Sequence, residues 1–251
     1  MKREHWLGET VTVSDAELYY ETHGSGEPLV CLHNFSANAR TCFTPLLPIL
    51  TKQFKCYLVD LRAHGRSTNP TNNWTKEQFS RDIIELCSAL GLDRAKFLAA
   101  SSGAMTMLRV ARYAPNLVER MVLDSGTYRI PETSRRFYKS PELLSDKLKA
   151  YYAEANEIYG AEYGPRLAKA FYDFRLPGCD INVAVETLAD IQAPTLIIHG
   201  DRDLFFPVDI PIEMKRVIPK SELSIFPNTE HIVMDFYPER VAEMAVDFLS
   251  T

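Results

Sequence analysis

The feature that most constrains this chain is a series of short apolar runs, each ending in a polar loop. They are Pro28 to His33, Phe54 to Asp60, Lys96 to Ala100, Val118 to Asp124, Pro194 to His199 and Ser221 to Phe226. Runs of this length without a polar face fit strands covered on both sides, as in a parallel sheet. Before them, residues 10–22 alternate around Ser14-Asp15-Ala16, the pattern of a β-hairpin. Helical patterns fall between the runs. Thr75 to Gly91 opens on a Thr-x-x-Gln capping box and stops at a glycine, and Met105 to Tyr113 and Glu239 to Leu249 are amphipathic. Strand and helix in alternation predict a doubly wound, mostly parallel α/β sheet, whose chemistry belongs at the carboxyl ends of the strands. Residues 127–190 break the rhythm, with helical patterns, many aromatic residues and no convincing strand. They are expected to form a helical cap, inserted between core segments 1–126 and 191–251.

At 251 residues the chain suits one such domain with an insertion, and its formal net charge of −5 argues against a nucleic-acid partner. No stretch approaches the 18 or so apolar residues of a membrane span, and the N-terminus, MKREHWLGETVTV, lacks the apolar segment of a signal peptide. The cysteines (Cys31, Cys42, Cys56, Cys87 and Cys179) are odd in number and have no CxxC spacing. That reads as free thiols in a reducing cytosol and offers no metal site.

The segment Phe97-Leu-Ala-Ala-Ser-Ser-Gly-Ala-Met105 joins a strand to a helix. A serine nucleophile at that junction needs small residues two before and two after it, where the backbone folds back on itself. Ala99 and Gly103 supply them for Ser101. Ser102 has comparable neighbours in Ala100 and Ala104, but glycine at the tighter position favours Ser101 as nucleophile, and the Ser102 N–H can then face an oxyanion. A base near neutral pKa is expected from histidine, and His231 follows the last apolar run. A carboxylate must hold its tautomer. Asp203 follows the Pro194 run with room for a turn; Asp124 is the runner-up, and Asp201 is weaker. The N–H of Phe35, after the first long run, is expected as the second oxyanion donor. Asn34 and Tyr128 are candidate substrate contacts, and His33 reads as structural.

These segments resemble the α/β-hydrolase fold superfamily over nearly the whole chain outside the cap. Pro28-Leu-Val-Cys-Leu-His-Asn-Phe35 resembles its oxyanion loop and Asp60-Leu-Arg-Ala-His-Gly-Arg-Ser67 its Asp-x-Arg-Gly-His-Gly-x-Ser turn. Ala99 to Gly103 resembles its nucleophile elbow and Pro194 to Asp203 its acid strand. His231 with Tyr237-Pro-Glu resembles its histidine loop. The order Ser, Asp, His is the order of that fold. Asn34, Ala63 and Ala99 stand where glycine is usual. Serine in place of aspartate at the elbow argues against the haloalkane dehalogenase and epoxide hydrolase branches. The resemblance implies a cofactor-free serine hydrolase for a small, partly apolar ester or lactone, similar to small capped carboxylesterases and enol-lactonases. C–C bond hydrolases, thioesterases, perhydrolases and lyases share the fold, as do non-catalytic ligand-binding homologues.

Overall fold

A computed structural model describes residues 8–138, 146, 149–150, 153, 156–157, 161, 163–176 and 181–251. Eight strands form one sheet: β1 (Glu9–Val13), β2 (Ala16–His23), β3 (Glu27–Leu32), β4 (Phe54–Val59), β5 (Ala95–Ala100), β6 (Val118–Asp124), β7 (Thr195–Gly200) and β8 (Ser221–Phe226). Their spatial order is β1-β2-β4-β3-β5-β6-β7-β8. The hairpin β1–β2 is antiparallel and β2 meets β4 antiparallel; from β4 onward every pairing is parallel. The hairpin turns at Ser14, whose φ of +50° fits a tight two-residue connection.

The helices whose bounds fall among the described residues are α1 (Ala39–Phe43), α2 (Leu47–Leu50), α3 (Lys76–Ala89), α4 (Ser102–Tyr113), α5 (Tyr163–Asp173), α6 (Asp209–Val217) and α7 (Pro238–Leu249); residues 146, 149–150, 153 and 156–157 are also helical. The period of two along the central strands deals side chains to two separate cores. Val30, Leu32, Phe97, Ala99, Met121, Leu123 and Ile197 join Leu86 of α3, Met107 of α4 and Met214 of α6 on one face. Leu29, Cys31, Leu98, Ala100, Val122, Leu196 and Ile198 join Phe43 of α1, Leu50 of α2 and Ala245 of α7 on the other. This is why the runs lack a polar face: β5 and β7 are buried at every position.

Two details depart from the periodicity. Helix α4 starts at Ser102, three residues before its apolar pattern, because strand β5 hands over to it through Ser101 alone. Helices α1 and α2 are too short to show a period, and α6 carries Pro211 in its first turn, a place where a missing N–H costs nothing.

Between β6 and β7 the described residues hold α5 and two 3₁₀ turns, Glu132–Phe137 and Val185–Asp190. No strand occurs among the described residues of 127–190. Tyr151, Tyr152, Tyr159 and Cys179 lie outside the described residues. Cys31, Cys42, Cys56 and Cys87 are buried free thiols.

Candidate active site

Ser101 is the single residue between β5 and α4, with φ +46° and ψ −105°. A non-glycine residue in that conformation is strained and persists only where its surroundings enforce it. The enforcement is visible in the neighbours. Ser101 N–H donates to Asp124 O at 2.8 Å, and Gly103 N–H donates to His33 O at 3.1 Å. A Cβ on Gly103 would lie 2.2 Å from the Leu32 carbonyl oxygen, so only glycine fits. Ala99 is wedged between Leu32 and Leu123 in the strand register. A Cβ on Gly126 would meet the Cβ of Ala104 at 2.7 Å, which explains the small pair there.

The two serines are separated by their partners. Ser101 Oγ lies 2.9 Å from His231 Nε2, whereas Ser102 Oγ accepts a hydrogen bond from Lys76 Nζ at 2.7 Å. His231 Nδ1 in turn lies 2.6 Å from Asp203 Oδ2. The other oxygen of Asp203 accepts the N–H groups of Phe205 and Phe206 at 2.8 and 2.9 Å, so the carboxylate is fixed at both ends. Burial pulls the Asp203 carboxyl up, but the charge and hydrogen bond of His231 outweigh it and hold it below the usual carboxylate range. Burial likewise disfavours charged His231. The charge and hydrogen bond of Asp203, with the charges of Asp124 and Asp235, win and raise its pKa above 6.5.

The structure thus gives Asp203, not Asp124, to the histidine. Asp124 has a different task. Its carboxylate accepts Val233 N–H at 3.0 Å, Met234 N–H at 2.8 Å and the Ser125 hydroxyl at 2.8 Å, and so clamps the turn just after His231. Complete burial raises its pKa to about 6. Ser125 Oγ also accepts Ile232 N–H at 3.0 Å. Both Ser125 (φ +51°) and Ile232 (φ +68°) are left-handed; for β-branched Ile232 this is a costly conformation. Asp201 instead turns to the β8 loop, accepting Thr229 N–H at 3.2 Å.

In the loop after β3, buried His33 accepts Leu61 N–H on Nε2 at 3.0 Å, so Nδ1 carries the proton and donates to Asn34 O at 2.6 Å. Burial, and secondarily the charge of Lys76, hold its pKa down to about 4. Asn34 does not use left-handed backbone here. It substitutes for glycine by closing the turn itself, its Oδ1 accepting Ser36 N–H at 2.9 Å. Ala63 does adopt the left-handed conformation, at φ +67°. Among the described residues, no acceptor takes the N–H of Phe35 or of Ser102.

Ser101, Ser102, Asn34, Phe35 and His231 face a common cavity of about 180 Å³. Its other walls are mostly aromatic: Tyr138, Phe171, Phe174, Phe205 and Phe206, with Met105 and Ile232. Tyr128 does not line it. That residue is buried elsewhere, its hydroxyl hydrogen-bonded to Glu213 and to Arg129 Nε, because the chain leaves β6 and crosses toward α6 before reaching the cavity. Phe171 and Phe174, on and just after α5, take the place expected of it. Lys76 also went unseen in the sequence: a lysine opening a capped helix reads as a solvated residue, yet this one is fully buried. Among the described residues no group of three or more His, Cys, Asp or Glu could hold a metal ion, and no helix is long and apolar enough to cross a membrane.

A family model described as the α/β hydrolase fold matches residues 27–136. The fold of the chain is that of the α/β hydrolases. In sequence the chain is similar to serine hydrolase BPHL of Mus musculus, with 26% identity over 252 residues, 95% of this chain and 85% of that one. In fold it is similar to a meta-cleavage product hydrolase from Pseudomonas fluorescens IP01, with TM-score 0.83, 18% identity, and 97% and 98% of the two chains covered. It is also similar to the enol-lactonase from Burkholderia xenovorans LB400, with TM-score 0.77, 20% identity, and 97% and 100% covered.

Proposed function

We propose that this chain is a serine hydrolase of the α/β-hydrolase superfamily that cleaves an ester, lactone or related acyl bond through an acyl-enzyme on Ser101. The observation that carries this reading is the unbroken line Asp203–His231–Ser101, at 2.6 and 2.9 Å, opening into an apolar cavity. His231 takes the Ser101 proton as Oγ attacks the carbonyl carbon, and the N–H groups of Phe35 and Ser102 receive the developing oxyanion. His231 then returns the proton to the leaving group. A water molecule, deprotonated by His231, releases the acid and restores Ser101. Asp203 keeps the imidazole in the tautomer that presents a free Nε2 to the serine.

Residues 127–190 act as a cap: Tyr138, Phe171 and Phe174 lie in that segment and form one side of the cavity. A site lined by rings, with polar groups only at the reacting end, selects a small, partly apolar acyl group. The serine hydrolase and enol-lactonase relatives agree with an acyl substrate, and the meta-cleavage product hydrolase makes a C–C substrate the competing one. The test is a panel of p-nitrophenyl esters of increasing chain length, lactones, acyl thioesters and vinylogous diketones. Turnover of short esters or lactones, abolished in Ser101→Ala, is the expected result. Turnover of the diketones alone moves the reaction to C–C bonds. Fluorophosphonate labelling that is equal in wild type and Ser101→Ala overturns the nucleophile assignment.

A further inference from the structure

Phe35 carries two tasks in one residue. Its N–H is one of the two proposed oxyanion donors, and its ring is a wall of the cavity. The residue is only 4% exposed, because the ring is clamped between two sets of partners. On the core side it meets buried His64 edge-on at 4.8 Å between centroids, with Trp74 at 6.2 Å. On the other side it meets Phe174 edge-on at 4.9 Å and Phe171 at 5.5 Å. The contacts continue from there. Phe171 and Phe174 lie 5.3 and 6.0 Å from Tyr138, Tyr138 lies 5.4 Å from Phe205, and Phe205 lies 5.3 Å from the His231 imidazole. From Phe35 to His231, each ring of this series lines the cavity. A ring-to-ring wall therefore runs from an oxyanion donor, through the segment 127–190, to the base.

Rings at these separations hold one another by close packing, and a packed wall passes a displacement on rather than absorbing it. The loop that carries Phe35 is anchored before it by His33, which accepts Leu61 N–H, and its turn is closed by Asn34 Oδ1 on Ser36 N–H. Within that loop the aim of the Phe35 N–H follows from where its ring packs. The acyl chain of a substrate enters the space that Phe171 and Phe174 wall, and so presses on the rings that press on Phe35. A misplacement of about 1 Å at a reacting group costs about 100-fold in rate. We propose that Phe35 is a specificity-determining residue: its ring reads how well the acyl chain fills the cavity, and its N–H turns that fit into oxyanion stabilisation, so that chain length is selected in kcat more than in KM. This rests on the serine hydrolase reading and deepens it, by naming where that site discriminates among acyl chains.

p-Nitrophenyl acetate, butyrate and hexanoate share a leaving group and differ only in acyl length. An oxyanion forms in acylation and again in deacylation, so kcat reports on it whichever step is slower. For wild type the best and worst chains should differ about tenfold in kcat, with a smaller spread in KM. Phe35→Ala removes the ring and keeps the N–H; Phe35→Leu keeps apolar bulk and breaks the ring contacts, and so serves if the alanine variant does not fold. In these variants kcat should fall and should converge to within about twofold across the three esters, leaving discrimination to KM. Wild-type kcat ratios in a folded variant overturn the role of Phe35, since a merely structural loss lowers kcat by the same factor for every chain. A wild type that discriminates through KM alone overturns it too. Ser101→Ala is the control. No ester turnover by wild type, or turnover undiminished in Ser101→Ala, removes the hydrolase reading and this inference with it. Turnover lost in Ser101→Ala, with ratios unaltered in the Phe35 variants, overturns the role of Phe35 alone.

Discussion

His231 gathers its properties from residues far apart in sequence, and its acid–base behaviour is the sum of opposing influences. Burial disfavours the imidazolium; the Asp203 carboxylate, and less strongly Asp124 and Asp235, favour it, and the pKa settles above 6.5. The form that can take a proton from Ser101 is neutral imidazole, which is populated only as pH rises through that raised value. The kcat/KM of an ester substrate should therefore climb with pH along a limb whose midpoint lies above 6.5. Asp203→Asn removes the largest influence that raises the pKa, and leaves burial opposed only by the weaker charges. Its midpoint should move to lower pH, and kcat should fall by up to about 10,000-fold through loss of the correct tautomer. A pH–rate profile of both proteins checks this; an unmoved midpoint in the variant would show that Asp203 does not set the histidine's charge.

At the scale of elements, the active residues are held by junctions rather than by the middles of helices or strands. The end of β6 supplies Asp124 and Ser125, and these clamp the turn after His231 through its buried N–H groups. Ser101, Ser125 and Ile232 are all left-handed, so three strained residues meet at one edge of the sheet. Their cost is offset by the hydrogen bonds that over-determine the turn. Ser125→Ala leaves the N–H of Ile232 without its acceptor and should destabilise the protein by about 1–3 kcal/mol. Ser125→Gly loses the same hydroxyl but relieves the left-handed backbone, so it should regain about 1 kcal/mol of that loss. Urea melts of the three proteins measure the difference. Because the turn carries His231, kcat should fall in both variants. An alanine variant as stable as wild type would refute the clamp.

Over the whole molecule, buried charge ties the layers together on the side of the sheet away from α7. Arg62, fully buried, donates from Nε and Nη2 to both oxygens of Asp82 on α3, at 2.6 and 2.8 Å, and from Nη2 to Asp15 in the β1–β2 turn at 2.8 Å. The guanidinium joins the hairpin, the turn after β4 and a helix. Arg62→Met would leave Asp82 buried without that partner, at a cost of about 3–5 kcal/mol. Its urea midpoint should drop sharply while the folded fraction keeps the wild-type KM, since Arg62 does not line the cavity; a wild-type midpoint would mean the network contributes nothing. Much of this molecule was legible in one dimension. Two-sided burial of the inner strands β3 to β7, though not of edge strand β8, left apolar runs without a polar face, and the tight elbow demanded small residues around Ser101. The order of Ser101, Asp203 and His231 followed from the loops that end those runs. These are local requirements, each satisfied within a few residues. What the tertiary structure decided depended on which distant side chains the sheet register brings within hydrogen-bond reach. It gave His231 to Asp203 and set Asp124 to clamp its loop. It turned Ser102 toward Lys76, replaced Tyr128 with Phe171 and Phe174, and drew a lysine that reads as solvated into the interior beside the elbow.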